Sequence, residues 1–484
     1  MPLKFNATRV MRTVRLITFG LVPILFLAHR AIASTNLPKD FESQVEALFA
    51  VSVHDNTPGG QVLVARNGAI LFEKSYGAAK LDSRASFTGD TRFRIGSITK
   101  QFTAAAILKL AEQGKLRVDD PVSRFIPDWP RGDEVKLRHL LSHSSGIHNF
   151  TAKPGFQAHV RSPIGLAELV ESFKHDPYDF NPGDKYNYSN SGYVLLGLIV
   201  EKVSGESYET YLRKTFFEPL GMKDTGVYPT GGNLPNAAFG YSYENGKLQR
   251  AVDWDMSNVG PAGELYSTAH DLFRWNEALF SQKVISANSM RAAFSVGTLK
   301  DDDPTHPEDI GYGFGWTMDR LNGAREISHG GELDGFGSYL LRLPDYQLTV
   351  IVLLNCVPQL PHVQQWVLDR QIARLALKGE LPPDEQPKIA HVSPGDLQAV
   401  VGTYDMGGGL KMTVTLNNGH VLASIAGRKS FEIVPKSDRD FFVQSGNAVA
   451  TFVRNVDNRV VKAILRQSGD RIDAPRITDA ADHH

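Results

Sequence analysis

Ser97 and Lys100, three positions apart, are the first residues in this chain whose types and spacing could do chemistry. A serine hydroxyl is a weak nucleophile at neutral pH until a base takes its proton, and a lysine is such a base once its pKa falls. Burial and neighbouring positive charge both lower that pKa, and the positive end of a helix dipole adds to the effect. From Thr99 to Gln113 the residues read as a helix. Ala, Leu, Lys and Gln favour it, apolar positions recur at Phe102, Ala106 and Leu110, and Gly114 suits its stop. Ser97 would then sit at the helix entry, with Lys100 one turn further on the same face. No other serine has a lysine three positions later.

Two further groups could join this pair. Tyr188 and Asn190 precede an apolar helical run from Val194 to Val203. A phenol can pass protons, and an amide can orient both a substrate carbonyl and a lysine. The plainer reading is a turn-rich loop, opened by Asn181-Pro182-Gly183-Asp184, in which the tyrosines only pack. His329-Gly330-Gly331-Glu332 follows a strand-like segment, and its two glycines allow a substrate backbone close to a sheet edge. His329 would offer a polar or charged contact there, unless the stretch is a hairpin turn with a surface histidine.

These groups need a scaffold that spans most of the chain. Asn67-Gly68 between two β-rich runs predicts a hairpin, and helices and loops then extend to about residue 290. Strand character returns at 313–318, 325–328, 337–343 and 348–354, before a closing helix at 362–377. The fold class expected is α/β (α+β): one antiparallel sheet covered by helices, with a helical lobe beside it. Residues 378–392 read as a proline-bearing linker. Beyond it, six short alternating segments between 411 and 467 predict a small all-β barrel or sandwich over 393–484.

Composition narrows the function classes. Hydrophobic content is 42%, charged content 22%, and 52 basic residues balance 53 acidic ones for a net charge of −1. That is a globular composition with no electrostatic footprint for nucleic acid. Arg9, Arg12 and Arg15, an apolar run from Leu16 to Ala28 and Ala31-Ile32-Ala33 before Ser34 have the layout of a secretory signal peptide over 1–33. The expectation is an exported protein, periplasmic or secreted, without stable membrane insertion after signal removal. The single cysteine, Cys356, falls in an apolar run and reads as an inert core thiol. His139 and His143 share a predicted helix face and His148 lies nearby, but no zincin glutamate follows, so neither metal nor cofactor is expected. Arg131-Gly132-Asp133 and the run Asp301–Asp303 read as loop.

Taken in order, Ser97-x-x-Lys100, Tyr188-x-Asn190 and His329-x-Gly331 resemble the serine β-lactamase and penicillin-binding-protein superfamily, most closely its class C branch with the related D-amino-acid peptidases and esterases. The stretches Leu140–Ile147, Pro261–Thr268 and Tyr312–Trp316 add to the resemblance, which covers roughly residues 40–376, so that 34–377 would be the hydrolase domain. The resemblance implies an acyl-enzyme mechanism. Ser97 would attack a carbonyl, Lys100 and Tyr188 would share the proton work, and Asn190 would hold the substrate amide. Backbone N–H groups of Ser97 and Glu332 would form the oxyanion hole, and His329, Gly330 and Gly331 would line the substrate. A histidine where class C enzymes carry lysine favours a peptidase or esterase over a β-lactamase. The expected partner is a small molecule or short peptide, including cell-wall fragments. The alternatives are a class C-like β-lactamase and a catalytically weak cell-wall-binding sensor.

Overall fold

The computed structural model describes residues 36–477 apart from 51, 55, 245, 301–309, 358–366, 384–388, 408–409, 426–429, 444–447 and 468–469. The expected signal peptide, the run Asp301–Asp303, the start of the expected closing helix and part of the expected linker lie outside the described residues.

Helix α1 (Phe41–Ala50) leads into the hairpin of β1 (Gly60–Arg66) and β2 (Ala69–Tyr76). Asn67 and Gly68 turn it with φ of 54° and 78°, the left-handed pair such a tight turn requires. The helical region follows, with α2 (Thr99–Glu112), α3 (Asn190–Ser204) and α4 (Ala269–Phe280) as its long members. Strands then return as β3 (Gly311–Tyr312), β4 (Thr317–Leu321), β5 (Ala324–Leu333), β6 (Phe336–Leu343) and β7 (Leu348–Leu354), and α5 (Leu368–Ala376) closes the unit.

The seven strands form one antiparallel sheet in the order β3-β4-β5-β6-β7-β1-β2, so the first hairpin pairs with the last strand at Gly60↔Leu354 and Leu63↔Ile351. Successive strand side chains point to opposite faces. Leu63, Leu340 and Ile351 accordingly pack with Phe102 and Trp275 of α2 and α4. Val62, Leu341, Val350 and Val352 pack with Phe41, Val45 and Ile372 of α1 and α5. Burial on both faces explains why β7 is apolar at every position but Thr349.

Two strand expectations change. Residues 313–316 are not strand: Gly315 adopts φ 89° in a turn closed by the Gly313 N–H donating to the Trp316 carbonyl at 2.8 Å. Conversely, β5 runs on through Gly330 and Gly331 to Leu333, so these glycines lie within a strand.

After the hydrolase-like unit, Arg66 grips the Glu380 carboxylate with both terminal nitrogens, at 2.8 and 2.6 Å. Beyond it lies a closed antiparallel barrel of β8 (Gly402–Gly407), β9 (Leu410–Asn417), β10 (His420–Ile425), β11 (Phe431–Pro435), β12 (Asp440–Val443), β13 (Ala448–Arg454), β14 (Val460–Gln467) and β15 (Asp470–Ile477). Each strand pairs with its successor, and β8 meets β15 at Thr403↔Ile477 and Tyr404↔Arg476. Tyr404, Phe441 and Phe452 fill the interior.

Candidate active site

Gly96, Ser97 and Ile98 form one tight helical turn that runs directly into α2. Lys100, in the first turn of α2, is 0% exposed, and its Nζ has three oxygen neighbours. These are Ser97 Oγ at 2.9 Å, Asn190 Oδ1 at 2.8 Å and the Ala262 carbonyl at 2.8 Å. Burial drives its pKa well below the usual lysine value. Two forms must be compared. An ammonium would donate to all three oxygens. A neutral amine donates to Asn190 and Ala262, which can only accept, and keeps its lone pair for the Ser97 O–H. With the amine cut off from solvent, the neutral form fits the site, and in that form it has a lone pair to offer the serine hydroxyl.

The Ala262 carbonyl reaches the amine because α3 has no side chain at Gly197. A Cβ there would lie 2.0 Å from the Pro261 ring. The neighbouring Pro261 carbonyl accepts from Thr103 Oγ1 at 2.7 Å, so the segment is pinned to α2 twice.

Asn190 is the first residue of α3. Its Nδ2 donates to Thr151 Oγ1 at 3.0 Å, which fixes the amide with its oxygen toward Lys100. The Tyr188 ring faces the amine, with Nζ 4.8 Å from its centroid. Hydroxyl, amine, amide and phenol, drawn from two distant parts of the chain, thus converge.

The third wall is β5. Its pairing with β4 ends at Thr317↔Ser328, whereas its pairing with β6 continues to Leu333↔Phe336. Among the described residues no strand covers the outer edge of 329–333. The turn bearing Ser97 packs against this edge. A Cβ on Gly331 would fall 2.0 Å from the Ile95 carbonyl oxygen and 2.8 Å from Ser97 N, and one on Gly96 would fall 3.1 Å from Glu332 N. Only glycine lets the two segments, which carry the Ser97 and Glu332 N–H groups, come this close.

His329 lies on the same face of β5, 6% exposed. Its Nε2 is 2.8 Å from the Tyr312 hydroxyl and its Nδ1 2.6 Å from the Gly330 carbonyl. The carbonyl can only accept, so Nδ1 carries the proton and Nε2 accepts from Tyr312. Burial pushes its pKa down to about 3. His329 is a neutral wall residue whose two nitrogens are both engaged.

Motif reading did not supply Ala262, Thr151 or Tyr312 as site residues, although Ala262 and Tyr312 stand inside stretches that carried the family resemblance. His143 also departs from expectation. It lies beyond the short helix 137–141, with φ 57°, and so shares no helix face with His139. Among the described residues no cluster of His, Cys, Asp and Glu could hold a metal ion, and no helix is long and apolar enough to cross a membrane. Cys356 is fully buried, and burial pushes its thiol up to about 12.

An antiparallel sheet with a helical lobe and a Ser-x-x-Lys pair whose lysine is buried beside the serine define a serine hydrolase of the β-lactamase and penicillin-binding-protein type. The chain belongs to the Beta-lactamase family, which residues 42–374 match. It is 28% identical over 450 residues to "Penicillin-binding protein 4*" of Bacillus subtilis, covering 89% of this chain and 98% of that one. Among solved structures, the octameric penicillin-binding protein homologue from Pyrococcus abyssi superposes with a TM-score of 0.60 at 26% identity, over 90% of this chain and 99% of that one. The D-stereospecific amidohydrolase from Streptomyces sp. gives 0.57 at 27%, over 70% of this chain and 98% of its own.

Proposed function

We propose that this protein is an exported hydrolase that cleaves amide or ester bonds of small peptides or related compounds through an acyl-enzyme on Ser97. The observation that carries this reading is the buried Lys100 amine 2.9 Å from the Ser97 hydroxyl. Lys100 takes the serine proton, Tyr188 beside it relays protons to and from the leaving group, and Asn190 orients substrate amide and lysine together. The oxyanion is held by the Ser97 and Glu332 amides. The substrate backbone lies along the open edge of β5, where His329, Gly330 and Gly331 form the wall.

The neutral, engaged His329 supports a peptidase, amidase or esterase rather than a strong β-lactamase, because it offers no cation to a β-lactam carboxylate. The Streptomyces amidohydrolase, named for D-stereospecific substrates, supports D-amino-acid amides within that class. The arginine-led apolar segment before Ser34 supports export.

A side-by-side assay of D-amino-acid amides, short-chain esters and nitrocefin on wild type and Ser97→Ala tests the reading. Turnover of an amide or ester above that of nitrocefin is expected, lost by about 10⁴-fold or more in the variant. Peptide mapping after fluorophosphonate labelling should find Ser97. Turnover or labelling that survives Ser97→Ala, or activity lost to chelators, would sink it.

A further inference from the structure

His143 lies in the stretch Leu140–Ile147, and the chemistry above leaves it unused. It is 1% exposed and holds a left-handed backbone, φ 57°, which is unfavourable for a residue with a Cβ. Its contacts straddle Tyr188. The His143 carbonyl accepts from the Asn187 N–H at 2.9 Å, and its Nδ1 accepts from the Ser189 N–H at 3.1 Å. The imidazole itself lies against the Tyr188 ring, centroids 4.1 Å apart. The residues before and after the phenol, and the phenol itself, are therefore all held by one side chain and its own peptide.

The same ring also touches Tyr312. Its centroid is 4.5 Å from that of Tyr312, whose hydroxyl donates to His329. Because Nδ1 accepts, the proton sits on Nε2, which is buried without a hydrogen-bond partner among the described residues. Backbone needs alone would be met better by asparagine, which tolerates the left-handed region and offers an acceptor at the same reach. What the imidazole adds is a ring packed against both Tyr188 and Tyr312, whose own centroids are 6.0 Å apart. A strained backbone and an orphaned N–H at one residue are features that persist where a site needs them.

We propose that His143 is a positioning residue that fixes the Tyr188 phenol over Lys100 and ties the Tyr-x-Asn segment to the Tyr312–His329 wall. This rests on the acyl-enzyme reading above. Two variants divide the contacts: His143→Asn keeps the acceptor and removes the ring, and His143→Phe keeps a ring and removes the acceptor.

The experiment measures Ser97 acylation by a fluorophosphonate and steady-state turnover, with circular dichroism and Tm as folding controls. Each variant should acylate about tenfold to a hundredfold more slowly, the loss falling in kcat rather than KM. The decisive readout is the double variant with Tyr188→Phe. A residue that acts through Tyr188 gives a double variant no slower than Tyr188→Phe alone. Additive losses, or wild-type acylation in His143→Phe, would overturn the role of His143. If that variant does not fold, the cycle is run with His143→Asn, and the same outcomes decide. An unimpaired Tyr188→Phe, or labelled Ser97→Ala, would instead bring down the catalytic assignment beneath it.

Discussion

The hydrolase unit and the barrel solve the same folding problem with opposite economies of sequence. In the barrel every strand pairs with the next one along the chain, and only β8 and β15 must meet across the module. Its described interior is built from apolar and aromatic residues, and the Tyr404 hydroxyl donates locally to the Val400 carbonyl at 2.7 Å. In the hydrolase unit β1 pairs with β7, nearly three hundred residues later. There the fully buried Lys100 depends on acceptors at Asn190 and Ala262. Local pairing suffices to make a stable shape. A reactive amine kept out of water needs oxygens on several elements, and these come only from distant chain.

That contrast can be broken at several points. The largest effect is expected from Lys100→Met, which should slow acylation of Ser97 by about 10²–10⁴-fold while leaving a folded protein by circular dichroism. Next comes Gly331→Ala, whose Cβ collides with the Ile95 carbonyl and spreads the two amides. Loss of such a donor predicts a fall in kcat of about a hundredfold or more, with a lowered Tm.

The pH profile sharpens the same point. A lysine whose pKa is lowered by burial is already deprotonated below its usual range. Activity should therefore rise with pH along a limb lying well below 10.5 and fall as acid protonates the amine. A limb at 10.5 in kcat/KM would show that Lys100 is not this base. On the barrel side, Phe452→Ala should cost about 3–5 kcal/mol of stability, read by denaturant unfolding, yet change Ser97 acylation by no more than about twofold. A matching loss of acylation would show that the two regions are not energetically separate.

The smallest effect concerns their contact. A cavity of about 520 Å³ is lined from one side by Lys185, Tyr186 and Asn187 and from the other by Asp405, Met406 and Arg471. Arg471→Ala should alter KM for extended peptide amides by a few-fold and leave short esters unchanged. Equal KM values for both would confine the barrel to a structural role.

Much of the fold was legible because its signals are local. The Ser97 helix, the helical run from Val194 to Val203 and the Asn67-Gly68 hairpin all follow from periodicity and turn chemistry within a few residues. The two missed barrel strands lack such signals: β8 is bounded by Gly402 and Gly407, and β15 carries Pro475, which argues against a strand until a closed sheet holds it. Of the site, the motifs pointed to Ser97, Lys100, Tyr188, Asn190 and the β5 glycines. The Ala262 carbonyl could not be read, because any residue has a carbonyl and only packing at Gly197 selects this one. The engagement of His329 was likewise hidden, since nothing near it in sequence predicts a hydroxyl from Tyr312.

The register Gly60↔Leu354 has a consequence in time. A growing chain has long since made its nucleophile when the strand that completes the supporting sheet is still unsynthesised, and slow non-local closure delays it further. The enzyme is therefore born inert. A polypeptide threaded through a membrane while still unfolded would carry no hydrolytic power on the near side and acquire it only on arrival.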